Sequence, residues 1–146
     1  MDFNWIRSAV HAIPMLSPLF RGIIFHNEAR LHKEGFWIRY HDNDSEIGHF
    51  VLIYEKGDRI YVFDSLGKHP CEYGIEDFDW YNDRRLQPER SCSCGAFVLF
   101  VAECSINMRP PNVLHLFSQD YKENQRRVLQ WLSKYTPMPV DLTTCQ

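Results

Sequence analysis

The sequence contains no long hydrophobic run and no strong excess of charge. Its longest apolar stretch, residues 96–102, is far too short to cross a bilayer, so we expect no membrane span. The formal net charge of −3 gives no reason to expect nucleic acid as a partner. The first five residues resemble neither the charged nor the apolar part of a secretory signal, and we expect none.

Cysteine is present, but not in the pattern of a disulfide framework or a metal site. The five cysteines are an odd number and have no regular spacing. No CxxC pair occurs, and no second pair of Cys or His stands at zinc-site spacing. We therefore expect free thiols in a reducing compartment, and neither a metal nor another cofactor. The cysteines are Cys71, Cys92, Cys94, Cys104 and Cys145.

What the sequence does contain is enough apolar material for one core. Of its 146 residues, 45% are hydrophobic and 14% are aromatic. A chain of this length and composition can bury a core as one unit. We predict a single domain over residues 1–146, with a core rich in Phe, Tyr and Trp.

The first part of the chain predicts a helix followed by strands. Residues 3–12 have the pattern of a helix that ends before Pro14. A turn-like stretch surrounds Arg21-Gly22, and residues 36–40 have the aromatic and β-branched composition of a short strand.

Two clearer strands follow, and the loop between them predicts a hairpin. Residues 49–54 and 59–64 are rich in β-branched and aromatic side chains. The four residues 55–58 include a glycine, which is typical of a hairpin loop.

The second half of the chain predicts two helices. Residues 94–106 are apolar on nearly every side, which indicates a buried element, and its length favours a helix. A breaker at residues 109–112 precedes an amphipathic helix over residues 119–135, with Ser118 as its N-cap. The residues from Pro137 onward have the composition of a loose tail. Together these elements indicate an α+β fold.

The hairpin brings a histidine and a carboxylate together. If Tyr54 pairs with Arg59 across the loop, then His49 pairs with Asp64, with Cβ atoms about 5 Å apart. A carboxylate bonded to a ring nitrogen holds histidine in one tautomer and stabilises its cation. This is the base-and-orienter half of a nucleophilic triad. The alternative is purely structural: His49 ends a strand and Asp64 begins a turn.

Cys94 has the features of a nucleophile at the start of a helix. The positive end of the helix dipole favours a thiolate there, and the first backbone N–H groups can face an oxyanion. Gly95 removes side-chain bulk beside the sulfur. The alternative reading is a cysteine buried in the core, which is how we interpret Cys104. Cys92, two residues before Cys94, could be exposed and reactive.

Four segments together resemble the adenain family, the adenovirus-type maturation proteases of the Ulp/SENP–adenain clan. They are Gly48-His49-Phe50, residues 63–67, Gln87, and Cys94-Gly95-Ala96-Phe97. The order His, Asp, Gln, Cys is the order of this clan, and Gln87 precedes Cys94 at the spacing found in adenain. One departure is Phe50, which stands where the family usually has Trp.

The resemblance implies a role for each residue. Cys94 is the nucleophile, His49 its base and Asp64 the residue that orients the base. The Gln87 side-chain amide forms the oxyanion hole with the Cys94 backbone N–H. The implied fold is that of papain-like cysteine proteases, in which a central buried helix carries Cys94 and packs on an antiparallel or mixed sheet carrying His49 and Asp64. Without the resemblance, Gln87, which precedes Pro88, would be interpreted as part of an ordinary surface loop.

Weaker likenesses extend over residues 20–137. Phe20-Arg21-Gly22-Ile23, Asn124-Gln125 and Trp131-Leu132 resemble the opening segment and C-terminal helix of adenain. The chain length is similar to the compact relatives encoded by Polinton/Maverick elements, virophages and small DNA viruses. The resemblance implies a monomeric endopeptidase that cleaves capsid or core precursor proteins in the virion or host-cell interior. Adenain is assisted by DNA and by a disulfide-linked peptide; dependence on either cannot be inferred for this chain, where Cys71 and Cys104 are weak candidates for the linkage.

Three other functions fit the same residues. The nearest is a SUMO- or ubiquitin-like-protein protease with the same chemistry and a different substrate. A catalytically inactive relative that acts as a binding module is a second, although all four site residues are present. An acyltransferase on the same scaffold is a third.

Overall fold

A five-stranded mixed sheet lies at the centre of the computed structural model, which describes residues 3–25, 28, 30, 32–43, 46–89 and 91–137. The strands are β1 (Phe20–Ile24), β2 (Gly35–Asn43), β3 (Glu46–Lys56), β4 (Arg59–Phe63) and β5 (Trp80–Tyr81). They are neighbours in chain order. The outer pairs β1–β2 and β4–β5 are parallel, and the two central pairs are antiparallel.

Four α-helices accompany the sheet in the described residues, which makes the fold α+β as predicted. They are α1 (Phe3–Ala12), α2 (Cys94–Cys104), α3 (Pro110–Val113) and α4 (Tyr121–Leu132). The predicted bounds of α1 are confirmed. Within the described ranges, no helix has both the length and the apolar character needed to span a bilayer.

Both faces of the sheet are covered, because alternate strand residues point to opposite sides. On one face, Phe36, Ile38, Phe50 and Leu52 join a core shared with residues of α1, α2 and α4. On the other face a smaller cluster is closed by the segment between β4 and β5. Its buried members are Ile24, Val51, Ile53, Ile60, Val62, Tyr73 and Ile75.

The β3–β4 hairpin is tighter than its sequence suggested. The ladder runs from Leu52 opposite Phe63 to Lys56 opposite Arg59, so the loop is only Gly57-Asp58. Both residues have positive φ, 57° and 64°, as a two-residue primed turn requires. The predicted four-residue loop and the pairing of Tyr54 with Arg59 are therefore wrong. Glycine and aspartate tolerate the left-handed region, so the strands continue further towards the turn.

The two longer helices of the second half differ in polarity and in how they begin. α2 is apolar on nearly all sides because it is buried between the sheet and α4. α4 is amphipathic and begins at Asp120, whose carboxylate accepts hydrogen bonds from the N–H groups of Lys122 and Glu123. The prediction of Ser118 as N-cap is wrong, because the Ser118 N–H and hydroxyl instead donate to the Asn124 side chain.

Several shorter elements were missed or misplaced. The turn-like stretch at Arg21-Gly22 lies within strand β1. The breaker at residues 109–112 overlaps the one-turn α3, which begins with a proline, where the missing N–H is tolerated. The ends of α2 and α4 fall inside the predicted ranges 94–106 and 119–135. The predicted tail beyond Pro137 lies outside the described residues.

Among the described cysteines, Cys71, Cys94 and Cys104 are free. Cys92 is disulfide-bonded, so the expectation of a free thiol is wrong there. A cysteine spacing without a framework pattern does not reveal a single bridge, since two cysteines can pair at any separation that the fold allows.

Candidate active site

The four residues predicted for the site come from three separate parts of the fold. His49 lies on β3 beyond the end of β4, and Asp64 directly follows β4. Gln87 lies in the segment between β5 and α2, and Cys94 is the first residue of α2. The structure brings His49, Asp64 and Cys94 into contact and buries Gln87 in the segment that leads to Cys94.

His49 and Asp64 meet even though the predicted register was wrong. In the observed ladder Phe63 lies opposite Leu52, which places Asp64 opposite Val51. His49 is therefore the diagonal neighbour of Asp64. A shift of two residues keeps side chains on the same face of a sheet, whereas a shift of one reverses them. The pair therefore survives the error, and Nε2 of His49 lies 2.5 Å from Oδ1 of Asp64.

The Asp64 carboxylate is buried and fully hydrogen-bonded. Only 1% of the residue is exposed. Oδ1 accepts from His49 and from the Leu66 N–H, and Oδ2 accepts from the Lys68 N–H and the Tyr73 hydroxyl. Burial alone would raise the pKa of this carboxyl, but the hydrogen bonds and the charge of His49 lower it below the ordinary value. Asp64 is therefore ionised near neutral pH.

His49 and Cys94 are adjacent, and each stabilises the charged form of the other, which favours an ion pair. Burial opposes a charge on His49, but the negative charge of Cys94 and the bond to Asp64 raise its pKa above the ordinary value. Burial likewise opposes the Cys94 thiolate, but the charge and hydrogen bond of His49, with the Phe50 N–H, lower the Cys94 pKa. Since Nε2 of His49 is bound to Asp64, Nδ1 is the nitrogen that faces the sulfur. The arrangement can supply a thiolate and a proton donor at the same point.

Cys94 lies at the N-terminal end of α2. Cys94 is only 5% exposed and is followed by Gly95, which brings no side chain to the first turn. Ser93 occupies the N-cap position, but its side chain accepts no hydrogen bond from this turn. The positive end of the helix dipole lies at this turn, next to Cys94.

Gln87 is held in one orientation by neighbours on both sides of its amide. It is 2% exposed. Its Oε1 accepts from the Ser65 hydroxyl, and its Nε2 donates to the Ser91 carbonyl at 3.1 Å. A side-chain amide carries two N–H hydrogens, so one remains for an oxyanion. The Ser65 carbonyl also accepts from the N–H groups of Leu86 and Gln87, which fixes the backbone.

Tyr73 supports the base and was missed in the sequence. Its hydroxyl donates to Asp64 at 2.6 Å, and its ring centroid lies 5.8 Å from that of His49. Its backbone carbonyl accepts from Nη2 of Arg39 at 2.5 Å, which ties the segment to β2. Tyr73 lies in a polar stretch without periodicity, so no signal in the sequence separates it from the other tyrosines.

Asn82 extends the sheet beside Asp64 and was also missed. Its Oδ1 accepts from the Asp64 N–H at 2.8 Å, and its Nδ2 donates to the Asp64 carbonyl at 2.6 Å. The side chain thus makes both bonds that a neighbouring strand would make. It fixes the backbone of Asp64 after β4 has ended.

The remaining described cysteines do not join Cys94 and His49. Cys104 lies against the main core at the end of α2, where burial raises its pKa to about 11, consistent with the prediction of a core residue. Cys71 is an exposed free thiol on the one-turn helix that carries Tyr73. Across the described ranges, no group of three or more His, Cys, Asp or Glu side chains is placed to hold a metal ion.

We predict that Gly48→Ala disrupts the site through Tyr40. A Cβ at position 48 would lie 1.8 Å from the Tyr40 hydroxyl oxygen. The ring centroid of Tyr40 lies 4.5 Å from that of Phe3 and 5.2 Å from that of Phe50, so these rings keep Tyr40 in place. Removing the clash therefore requires β3 to shift, and His49 moves with it. Overpacking of this kind costs roughly 1–3 kcal/mol of unfolding free energy. Chemical denaturation and Cys94 alkylation should both report the change.

The control is the double variant Gly48→Ala/Tyr40→Ala, which removes the clashing ring. Its loss of stability should be smaller than the sum of the two single losses. Additive losses would mean that the two residues do not interact as described.

We also predict an alkylation profile set by His49. Because the Cys94 pKa is lowered, iodoacetamide should modify Cys94 below pH 7, where an unperturbed thiol with a pKa of about 8.5 is largely protonated. His49→Ala removes the charge that lowers the pKa, so the rate at pH 7 should fall at least roughly tenfold, the effect of one pKa unit. Mass spectrometry follows each cysteine, with Cys71 as an internal reference and the exposed-site variant His115→Ala as control. Equal rates in His49→Ala and the native protein would contradict the ion pair.

The site can also be set beside known proteins. A comparison with models of protein families finds no match to this chain, and a comparison with curated proteins finds none either. The resemblance to the adenain family therefore stays a prediction, and a function must be argued from the four residues and their contacts.

Proposed function

We propose that this protein is a cysteine endopeptidase with a papain-like fold, related to adenain. The observation that carries the proposal is the position of His49 between the buried, ionised Asp64 and the sulfur of Cys94 at the start of a buried helix. A nucleophile, a base and a residue that orients the base are the minimum for nucleophilic hydrolysis. Gln87 supplies a side-chain N–H donor in the segment that leads to the nucleophile.

In the first half of the reaction, the Cys94 thiolate attacks the carbonyl carbon of the scissile peptide bond. The carbonyl oxygen becomes an oxyanion, which the free amide hydrogen of Gln87 and the Cys94 backbone N–H stabilise. The protonated His49 then gives its proton to the leaving nitrogen as the C–N bond breaks. An amine leaves, and a thioester on Cys94 remains.

In the second half, neutral His49 takes a proton from water, and the hydroxide attacks the thioester carbonyl. The C–S bond breaks, the carboxylic acid leaves, and the thiolate and imidazolium are restored. Asp64 stabilises the imidazolium in each half without accepting its proton, because the four bonds to its oxygens favour the ionised form.

The substrate class follows from the resemblance. Within the proposal, the substrates are capsid and core precursor proteins of a viral or virus-like element, cleaved during particle maturation. The support is the quartet His49, Asp64, Gln87 and Cys94 in the clan's order, together with the adenain-like spacing of Gln87 and Cys94.

We predict that Gln87→Ala separates turnover from thiolate formation. Losing one oxyanion donor should lower kcat for peptide hydrolysis by about 10²–10³. The Cys94 alkylation rate should change little, because His49 and Asp64 are untouched. Gln130→Ala, the same change at an exposed position of α4, should keep native kinetics. Near-native kcat in a folded Gln87→Ala protein would remove Gln87 from the mechanism.

The substrate is tested with precursor polypeptides and with modifier probes. Purified capsid and core precursors should be cut at defined bonds by the native protein and left intact by Cys94→Ala, with the new termini mapped by mass spectrometry. Ubiquitin-like probes that end in Gly-Gly with a C-terminal electrophile should label Cys94 poorly. Efficient labelling of Cys94 by such a probe, without cleavage of precursors, would reverse the assignment of substrate.

A further inference from the structure

Two serines before the nucleophile are buried and share one acceptor. Ser91 is 8% exposed and Ser93 is fully buried, and their hydroxyl oxygens lie 2.5 Å apart. Both hydroxyls donate to Oε1 of Gln125, with the Ser93 oxygen at 3.0 Å. Gln125 belongs to α4 and is itself 7% exposed. A buried network of this kind holds each member in one rotamer.

Ser93 directly precedes Cys94 but does not cap α2. A capping serine ordinarily has an extended backbone and accepts a hydrogen bond from the second or third N–H of the helix. Ser93 has φ of −89° and ψ of 5°, and its side chain makes no such bond. Its hydroxyl is bonded to Gln125 of α4 instead, which holds the residue before Cys94 in place.

Ser91 connects the same network to the oxyanion donor. Its hydroxyl donates to Gln125 and accepts from the Ser93 N–H at 3.1 Å. Its carbonyl accepts from Nε2 of Gln87 at 3.1 Å. The preceding residue of α4, Asn124, donates to the Leu86 carbonyl at 3.2 Å and so holds the backbone beside Gln87.

We propose that Gln125 is a positioning residue for both the nucleophile and the oxyanion hole. It holds Ser93, the residue directly before Cys94, and so fixes the start of α2. It also fixes Ser91, whose carbonyl aims the amide of Gln87. This inference rests on the proposed function, because it assigns Gln125 a purpose within that reaction.

The test compares Gln125→Met with Gln130→Met. Methionine is close in size to glutamine but offers no comparable acceptor, and Gln130 is an exposed residue of the same helix. In Gln125→Met the hydroxyls of Ser91 and Ser93 lose this acceptor, so Cys94 and Gln87 are held less firmly. We expect the apparent pKa of Cys94 alkylation to rise and kcat to fall at least roughly tenfold, with a smaller change in KM. Gln130→Met should match the native protein in all three.

Thermal melting separates positioning from a structural role. In Gln125→Met the hydroxyls of Ser91 and Ser93 can still bond to each other, so the Tm should fall little while kcat falls strongly. A large fall in Tm with a native alkylation profile in the folded protein would mean that Gln125 is structural only, and would overturn the inference. If Gln125→Met does not fold, Gln125→Asn gives the same comparison, since it withdraws the amide oxygen by one methylene.

The failure of this inference differs from the failure of the proposed function. If Cys94 of the native protein alkylates with the pH dependence of an ordinary thiol, the proposed function fails and this inference fails with it. If native Cys94 is activated and precursors are cleaved, but Gln125→Met retains native kcat and alkylation, only the inference fails.

Discussion

A buried negative charge on Asp64 is the constraint on which the rest of the site depends. A carboxylate with almost no contact with water persists only if its oxygens are fully paired. Two of its four partners are backbone N–H groups just after β4, and two are side chains from β3 and from the segment between β4 and β5. Pairing this charge requires three parts of the chain to meet at Asp64. The bond to Asp64 then leaves the ring of His49 one orientation.

Residues adjacent in the chain hold different parts of the site. Asp64 holds the ring of His49, while the next residue, Ser65, holds the amide oxygen of Gln87. The same division recurs on α4, where Asn124 holds the backbone beside Gln87 and Gln125 holds the serines before Cys94. The side chains that would meet the substrate are therefore set by buried residues that would not touch it. Such supporting contacts are what keep a reactive geometry within a few tenths of an ångström.

The sequence predicted the fold class and the meeting of His49 with Asp64, but not the contacts that support them. Composition, length and the breakers that bound each segment identified α1, β3 and α2. The hairpin register was off by two residues, since the turn depends on the φ values of Gly57 and Asp58. Tyr73 and Asn82 act through single contacts with a residue distant in the chain, and no local pattern records such contacts. The chain order and spacing of the adenain resemblance pointed to Gln87. Its burial could not be predicted, because the sequence around it is polar.

The position of α4 in the chain has a consequence for the timing of synthesis. Because a protein is made from its N-terminus, His49, Asp64, Gln87 and Cys94 all leave the ribosome before Asn124 and Gln125. Until α4 packs, Ser91 and Ser93 lack their shared acceptor and the backbone at Leu86 lacks its donor. A nascent chain would therefore carry His49, Asp64, Gln87 and Cys94 before these supports exist, and the packing of α4 would complete the surroundings of Cys94.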